Sequence, residues 1–349
     1  MQIDKWSVLA GLRFVLAFIV AVNHLPDFVP VGIWALVPKF GAFEAVLGFL
    51  LISGFSIGTS YQKEPKAFLR RRTLRIYPIY IAALALTCVV FAMEHGTMPS
   101  AWLLVANVLF LNQIVTSDSF VGPAWSLALE FWLYLLTPLL FSLKPSTLQL
   151  LARVSFVAFL AHTCGRTLFH WNYYSGVGYG LNLVFLSFIW LAGFRLAREP
   201  QRYQPILNEV GWMFALHILL AISIQFASSW KRDQVDQFLH VGIDSFALQA
   251  FTLLAVLWTF KRIAKSVGAQ SSGSAALRLL GDISYPLYII HIPAFYFLKQ
   301  SGFDSPILYL AAAIVGSFLL SWGLDRYSQQ RHQRSTGNDS TATQPQGNS

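Results

Sequence analysis

Arg13 and His24 stand eleven positions apart inside one apolar run, Val8 to Leu25. Eleven residues are about three helical turns, so on a helix both side chains share a face about 16 Å apart along the axis. An arginine or histidine at the centre of a membrane span costs about 2.5–3.5 kcal/mol on insertion scales, so such residues face a cavity or a partner. A histidine placed this way can serve as a general base, and an arginine can stabilise developing negative charge. Glu130 is the matching carboxylate, alone in the apolar segment Pro123 to Pro138. Counted from Pro123 it lies about 10 Å deep, in the half of the bilayer where His24 is expected. A carboxylate meeting an imidazole holds its tautomer and makes it a better base. The competing reading of His24 and Glu130 is a buried polar pair that only joins helices. His291, in the middle of SerTyrProLeuTyrIleIleHis, reads more as a packing histidine, and His162 and His217 still more so.

On the other side of the bilayer the chain carries Arg70, Arg71, Arg72 and Arg75 ahead of Tyr77 and Pro78. Arg72 and Arg75, three apart, share a helical face and can clamp a phosphate. Such a cluster also arises wherever an inward loop collects positive charge for orientation or lipid contact, and this is the favoured reading of the cluster alone.

These residues need membrane helices to place them, and the composition supplies them. Hydrophobic residues make up 55% and charged residues 12% of the 349, with a mean hydropathy of +0.54, against about 25% charged in a soluble domain. The net charge of +9 gathers between apolar runs, which reads as loop charge and excludes a nucleic-acid footprint. Apolar stretches near 8–25, 41–59, 76–93, 124–141, 149–168, 182–198, 211–227, 241–260, 282–299 and 306–324 predict ten spans. The fold expected is an all-α polytopic membrane helix bundle.

Ala101 to Val115 is apolar but short and holds Asn107, Asn112 and Gln113. With ten spans and the N-terminus inside, 18 basic residues fall inside and 4 outside; an eleventh crossing at Ala101 to Val115 makes this 10 against 12. The positive-inside rule prefers the first arrangement, so this segment is expected to be re-entrant or interfacial and to line a pocket, with both termini cytoplasmic. The bundle is expected over 1–327, with a flexible loop at Ser266 to Ala275 and a disordered cytoplasmic tail over 328–349. The first helix reads as an uncleaved anchor. Cys88 and Cys164 lie in separate spans without metal or redox spacing, and no metal site is expected.

Five segments together resemble the membrane-bound acyltransferase 3 family, which includes O-antigen and exopolysaccharide O-acetyltransferases. They are LeuAlaGlyLeuArg with the Arg13 to His24 spacing, PheLeuLeuIleSerGlyPhe at 49–55, PheLeuArgArgArgThrLeuArgIleTyrPro at 68–78, TrpSerLeuAlaLeuGlu at 125–130 and SerTyrProLeuTyrIleIleHis at 284–291. Each motif is loose; five in family order over most of the chain are specific. The resemblance implies an enzyme of the bacterial inner membrane with no bound cofactor. It would move an acetyl or other acyl group from acyl-CoA on the cytoplasmic side to a hydroxyl of a carbohydrate such as lipopolysaccharide, exopolysaccharide or a lipid-linked precursor. By position it implies that His24, Arg13 and Glu130 are catalytic and that Arg72, Arg75, Ser53, Gly54 and Phe55 bind the donor, with Ser284, Tyr285, His291, Trp125 and Ser126 as secondary candidates. Many members carry an acidic residue where this chain has Leu47, and Glu44 stands one turn earlier. The rival reading is an exporter of a glycan or lipid-linked intermediate that uses His24 and Glu130 as a proton relay.

Overall fold

The computed structural model describes residues 4–265 and 274–341. It is a polytopic membrane helix bundle, with no strand among the described residues. The helices are α1 (Lys5–His24), α2 (Ala42–Lys63), α3 (Phe68–His95), α4 (Ala101–Val108), α5 (Ala124–Ser142), α6 (Pro145–Leu168), α7 (Leu181–Arg198), α8 (Tyr203–Lys231), the single turn α9 (Val235–Gln237), α10 (Ile243–Lys265), α11 (Ala275–Gln300) and α12 (Pro306–Thr341). Helices dominate because hydrocarbon offers no partner to backbone N–H and C=O groups, which must then pair within each segment. Among the described residues nine helices are long and apolar enough to cross a membrane. The tenth expected span, 282–299, lies in α11, which is 26 residues long and contains Arg278, Asp282, Lys299 and two prolines.

Two helix pairs form the scaffold of the site. In the first, α2 and α7 touch backbone to backbone. A Cβ on Gly54 would stand 2.0 Å from the Trp190 carbonyl oxygen, and one on Gly193 would stand 2.1 Å from that of Leu51. Small residues let membrane helices approach this closely and gain van der Waals contact that lipid cannot displace. The second pair is α1 with α11, where Gly281 abuts Ala10 and, toward the far ends, the ring of His291 lies beside that of His24. Both helices therefore run in the same direction, and the site residues of α11 lie along the Arg13 to His24 face of α1. Pro286, lacking an N–H, cannot bond the Asp282 carbonyl one turn back; Ser321 Oγ of α12 donates to that carbonyl at 3.0 Å.

The Ala101 to Val115 segment folds as the eight-residue α4 followed by turns, too short to cross. Its polar residues hold a loop in place. Asn107 donates to the carbonyls of Leu103 and Asp118 and accepts from Phe120 N–H, while Gln113 bonds Ser117, Ser175 and Asn182. A buried ionic network ties α6, α7 and α8. Arg195, 1% exposed, reaches Glu209 at 2.9 Å and Glu199 at 3.4 Å, and Arg153 reaches Glu209 at 2.7 Å. The sequence predicts Arg195 as loop charge; one helical turn separates it from Glu199, which brings it inside.

α12 continues to Thr341, past Ser328 where a disordered tail is expected to begin. No proline interrupts it after Pro306 before that point. The expected loop over 266–273 and the last residues, 342–349, lie outside the described residues.

Candidate functional site

The site is a cavity of about 760 Å³ enclosed by α1, α2, α3, α5, α11 and α12. It reaches the end of the bundle where α2 turns into α3. Arg13 enters from α1, and Arg70, Arg72 and Arg75 enter from α3, so four guanidinium groups line one space. The turn that starts α3 makes this possible: Ala67 adopts a left-handed conformation with φ 55°, and Arg71 is drawn away from the cavity. Its guanidinium donates to the carbonyls of Lys66 and Glu64 and pairs with the Glu64 carboxylate at 2.9 Å. Arg72 and Arg75, on the same helical face, are left to the cavity.

Two acidic residues line the same space, Glu130 and Asp282. Glu130 Oε2 accepts from the Tyr134 hydroxyl at 2.7 Å, and that hydroxyl also meets Ser53 Oγ at 3.1 Å. Arg13 donates to Ser56 Oγ at 2.6 Å. Arg13 from α1, Ser53 and Ser56 from α2 and Glu130 with Tyr134 from α5 therefore form one polar wall. The same two helices, α2 and α5, add apolar lining through Val46, Phe49, Leu50 and Leu127. The inner end closes at Tyr288, whose hydroxyl pairs with Ser126 Oγ at 2.7 Å and whose ring meets Phe49 edge to face, centroids 5.2 Å apart. Such a space suits a ligand with an anionic head, a narrow arm and a polar group to be oriented near Arg13 and Glu130.

The structure brings together most of the predicted site residues. Arg13, Ser53, Arg72, Arg75, Ser126, Glu130, Ser284 and Tyr285 all line the cavity. Ser284 also donates to the Gly281 carbonyl, and Tyr285 to that of Ile76. Gly54 and Phe55 face elsewhere: Gly54 touches α7, and the Phe55 ring packs on Phe260 and Trp6. Trp125 is buried against Tyr173.

Two expectations are corrected. His24 and Glu130 do not meet: Glu130 sits two turns into α5 with its carboxylate on Tyr134, whereas His24 ends α1, lines no part of the cavity, and faces Asp27 at 3.6 Å and the His291 ring at 5.5 Å. The Ala101 to Val115 segment contributes nothing to this cavity; its polar side chains bond its own turns and, through Gln113, Ser175 and Asn182. The Glu44 carboxylate, one turn before Leu47, meets His217 Nε2 at 3.1 Å and lines no part of the cavity.

Other groups escaped the sequence argument although their spacing was informative. Tyr134 is four residues after Glu130 and Asp27 three after His24, the separations at which helical side chains meet. Ser56 and Tyr288 carried no such signal, since their partners come from other helices. His162 stacks on Phe185 with ring centroids 4.3 Å apart.

An acyltransferase family model, the acyltransferase 3 domain, matches residues 7–326. Among curated proteins the chain is 31% identical over 109 residues to the acyltransferase MdmB of Streptomyces mycarofaciens, covering 28% of each protein. It is 29% identical over 153 residues to the putative acetyltransferase ORF330 of Acidianus two-tailed virus, covering 41% of this chain and 43% of that protein. It is 27% identical over 174 residues to the regulator of hypoxia-inducible factor 1 of Caenorhabditis elegans, covering 40% and 35%. The chain thus aligns with less than half the length of each of these relatives. No solved structure matches. With nearly the whole bundle matched, this membrane helix bundle belongs to the acyltransferase 3 family.

Proposed function

We propose that this protein transfers an acyl group, acetyl in the first instance, from acyl-CoA to a hydroxyl of a cell-surface carbohydrate or its lipid-linked precursor. The observation that carries the reading is the cavity in which Arg13, Arg70, Arg72 and Arg75 converge. Acyl-CoA has the matching anatomy: phosphates for Arg70, Arg72 and Arg75 at the mouth, a narrow pantetheine arm for the passage, and a thioester to place deeper, toward Tyr288. In this reading the mouth lies on the cytoplasmic side of a bacterial inner membrane, both termini are cytoplasmic, and His24 stands toward the opposite face.

His24 acts as general base on the acceptor hydroxyl. The attacking oxygen forms the new C–O bond, the thioester C–S bond breaks, and its electron pair leaves with the CoA sulfur, which takes up a proton to complete the exchange. Arg13 supplies positive charge to the donor or to the carbonyl oxygen as negative charge develops there. Glu130, fixed by Tyr134, balances the arginines, and Ser56 holds Arg13 in place. Ser126 and Tyr288 separate the cavity from His24, so the acyl arm passes where their hydrogen bond now lies.

The test is to compare the mass of surface glycans from cells with and without the gene, and to measure free CoA released from acetyl-CoA by membranes containing the protein. An acetyl increment on the glycan, with CoA release that depends on added acceptor, supports the reading. Unchanged glycan mass with altered glycan export would favour the exporter.

A further inference from the structure

His291 is completely buried, and its two ring nitrogens are in different situations. Nδ1 lies 3.0 Å from the Leu287 carbonyl oxygen. A carbonyl only accepts, so in the neutral ring Nδ1 carries the hydrogen and Nε2 is left with a lone pair. Nε2 has no hydrogen-bond partner. An unmade hydrogen bond of this kind costs about 1–3 kcal/mol, whereas a hydrocarbon side chain would fill the same space without it. The ring beside His291 is His24, centroids 5.5 Å apart and planes 30° apart.

The surroundings fix this pair in place. The chain leaving α1 is tied to α11 by Lys299, whose ammonium donates to the Asp27 carbonyl and covers the Phe28 ring, and by Phe28 packing on Phe295 and Tyr296. The titratable groups around the two imidazoles are the Asp27 carboxylate, 3.6 Å from His24 Nδ1, the Lys299 ammonium, and the Tyr288 phenol one turn back on α11, its ring centroid 6.4 Å from that of His291. With Asp27 on the Nδ1 side of His24, the Nε2 side is the one available to the acceptor.

We propose that His291 is a positioning residue for His24, and that its bare Nε2 accepts a hydrogen bond from the imidazolium formed when His24 takes the proton of the acceptor hydroxyl. This rests on the acyl-transfer reading above. As the hydroxyl oxygen attacks the thioester carbon, its O–H bond breaks and the proton moves to His24. The resulting imidazolium keeps its Nδ1 side toward Asp27 and turns the newly gained Nε2–H to Nε2 of His291, and that proton is finally delivered to the thiolate released when the C–S bond breaks. The products are the ester and the free thiol of CoA, with no other reactant.

The experiment uses the full-length protein in detergent or native membranes, with acetyl-CoA as donor and, as acceptor, the glycan fraction from cells lacking the gene. Wild type, His24→Ala, His291→Ala and His291→Gln are compared for CoA release across pH, acetyl-CoA half-saturation and recovery by free imidazole. The expected result for His291→Ala is turnover lowered by ~10²-fold, unchanged half-saturation, because His291 lies outside the cavity, an altered pH profile, and partial recovery with imidazole. Wild-type turnover in a folded His291→Ala protein would overturn the proposal. So would a loss with an unchanged pH profile and no response to imidazole, or failure of both His291 variants to fold, since each assigns the residue to packing. If wild type itself releases no CoA with acceptor, the acyl-transfer reading fails; if wild type works, His24→Ala does not and the His291 variants do, only this inference fails.

Discussion

Tyr134 donates its hydroxyl to Glu130 at 2.7 Å from one helical turn away, so this carboxylate is positioned by its own helix. That hydroxyl also meets Ser53 of α2 at 3.1 Å, which connects the carboxylate to the helix carrying the Arg13 partner, Ser56. The orientation of Arg13 is thereby linked to the packing of α2 on α5. Replacing Tyr134 by Phe removes this link without opening a hole. A hydrogen bond to a charged group is worth about 1.5–3 kcal/mol, and the expected outcome is a measurable drop in thermal stability together with roughly tenfold slower CoA release. Unchanged stability and rate in Tyr134→Phe would show that Glu130 is held by other means.

The arginines of the α3 segment separate by direction. Arg72→Ala and Arg75→Ala are each expected to raise the acetyl-CoA half-saturation about tenfold, the loss of one charge-assisted contact, and to weaken its salt dependence. Arg71→Ala is the internal control, because its guanidinium is already committed to Glu64 and Lys66; its effect on half-saturation is expected to stay within about twofold. Titration of donor binding at two salt concentrations checks all three.

The α2 and α7 contact leaves no room for a side chain at Gly54. Gly54→Val drives a branched side chain into the Trp190 backbone, and the expected cost is at or above the upper end of about 1–3 kcal/mol for overpacking, seen as loss of folded protein on size exclusion in detergent. Gly178, with nothing within 4 Å of the same added atom, is expected to accept Ala with native yield.

Arg195 is worth more to stability than its place among the topogenic charges suggests. Arg195→Ala leaves Glu209 and the buried Glu199 without their central cation. Breaking a buried ion pair from one side costs about 3–5 kcal/mol, and a correspondingly lower melting temperature is expected. A melting temperature equal to wild type would mean that Arg153 and Arg202, which also reach these carboxylates, satisfy them alone.

What the sequence disclosed follows from the range of each interaction. The helices were readable because apolar runs and loop charge act locally, and positive charge alone kept Ala101 to Val115 from being counted as a span. Arg13 and Glu130 were readable as unfavourable charges in apolar runs, whereas Arg72 and Arg75 alone read as inward-loop charge with helical spacing. Their convergence was not, because it depends on α3 turning at Ala67 and on Gly54 and Gly193 setting how closely α2 approaches α7. The expectation that His24 meets Glu130 rested on equal depth in the bilayer, which fixes one coordinate and leaves the position in the membrane plane open. The His24 and His291 pair belongs to two helices far apart in sequence, and only the parallel packing of α1 on α11 brings it together.

The most direct test of the central claim is CoA release from acetyl-CoA by the purified protein with glycan acceptor, comparing wild type with a His24→Ala protein shown to be folded and to bind acetyl-CoA normally. The account predicts acceptor-dependent release and an acetyl increment on the glycan for wild type, with turnover reduced by ~10²–10⁴-fold in the variant. Acetyl transfer by His24→Ala at the wild-type rate would contradict it.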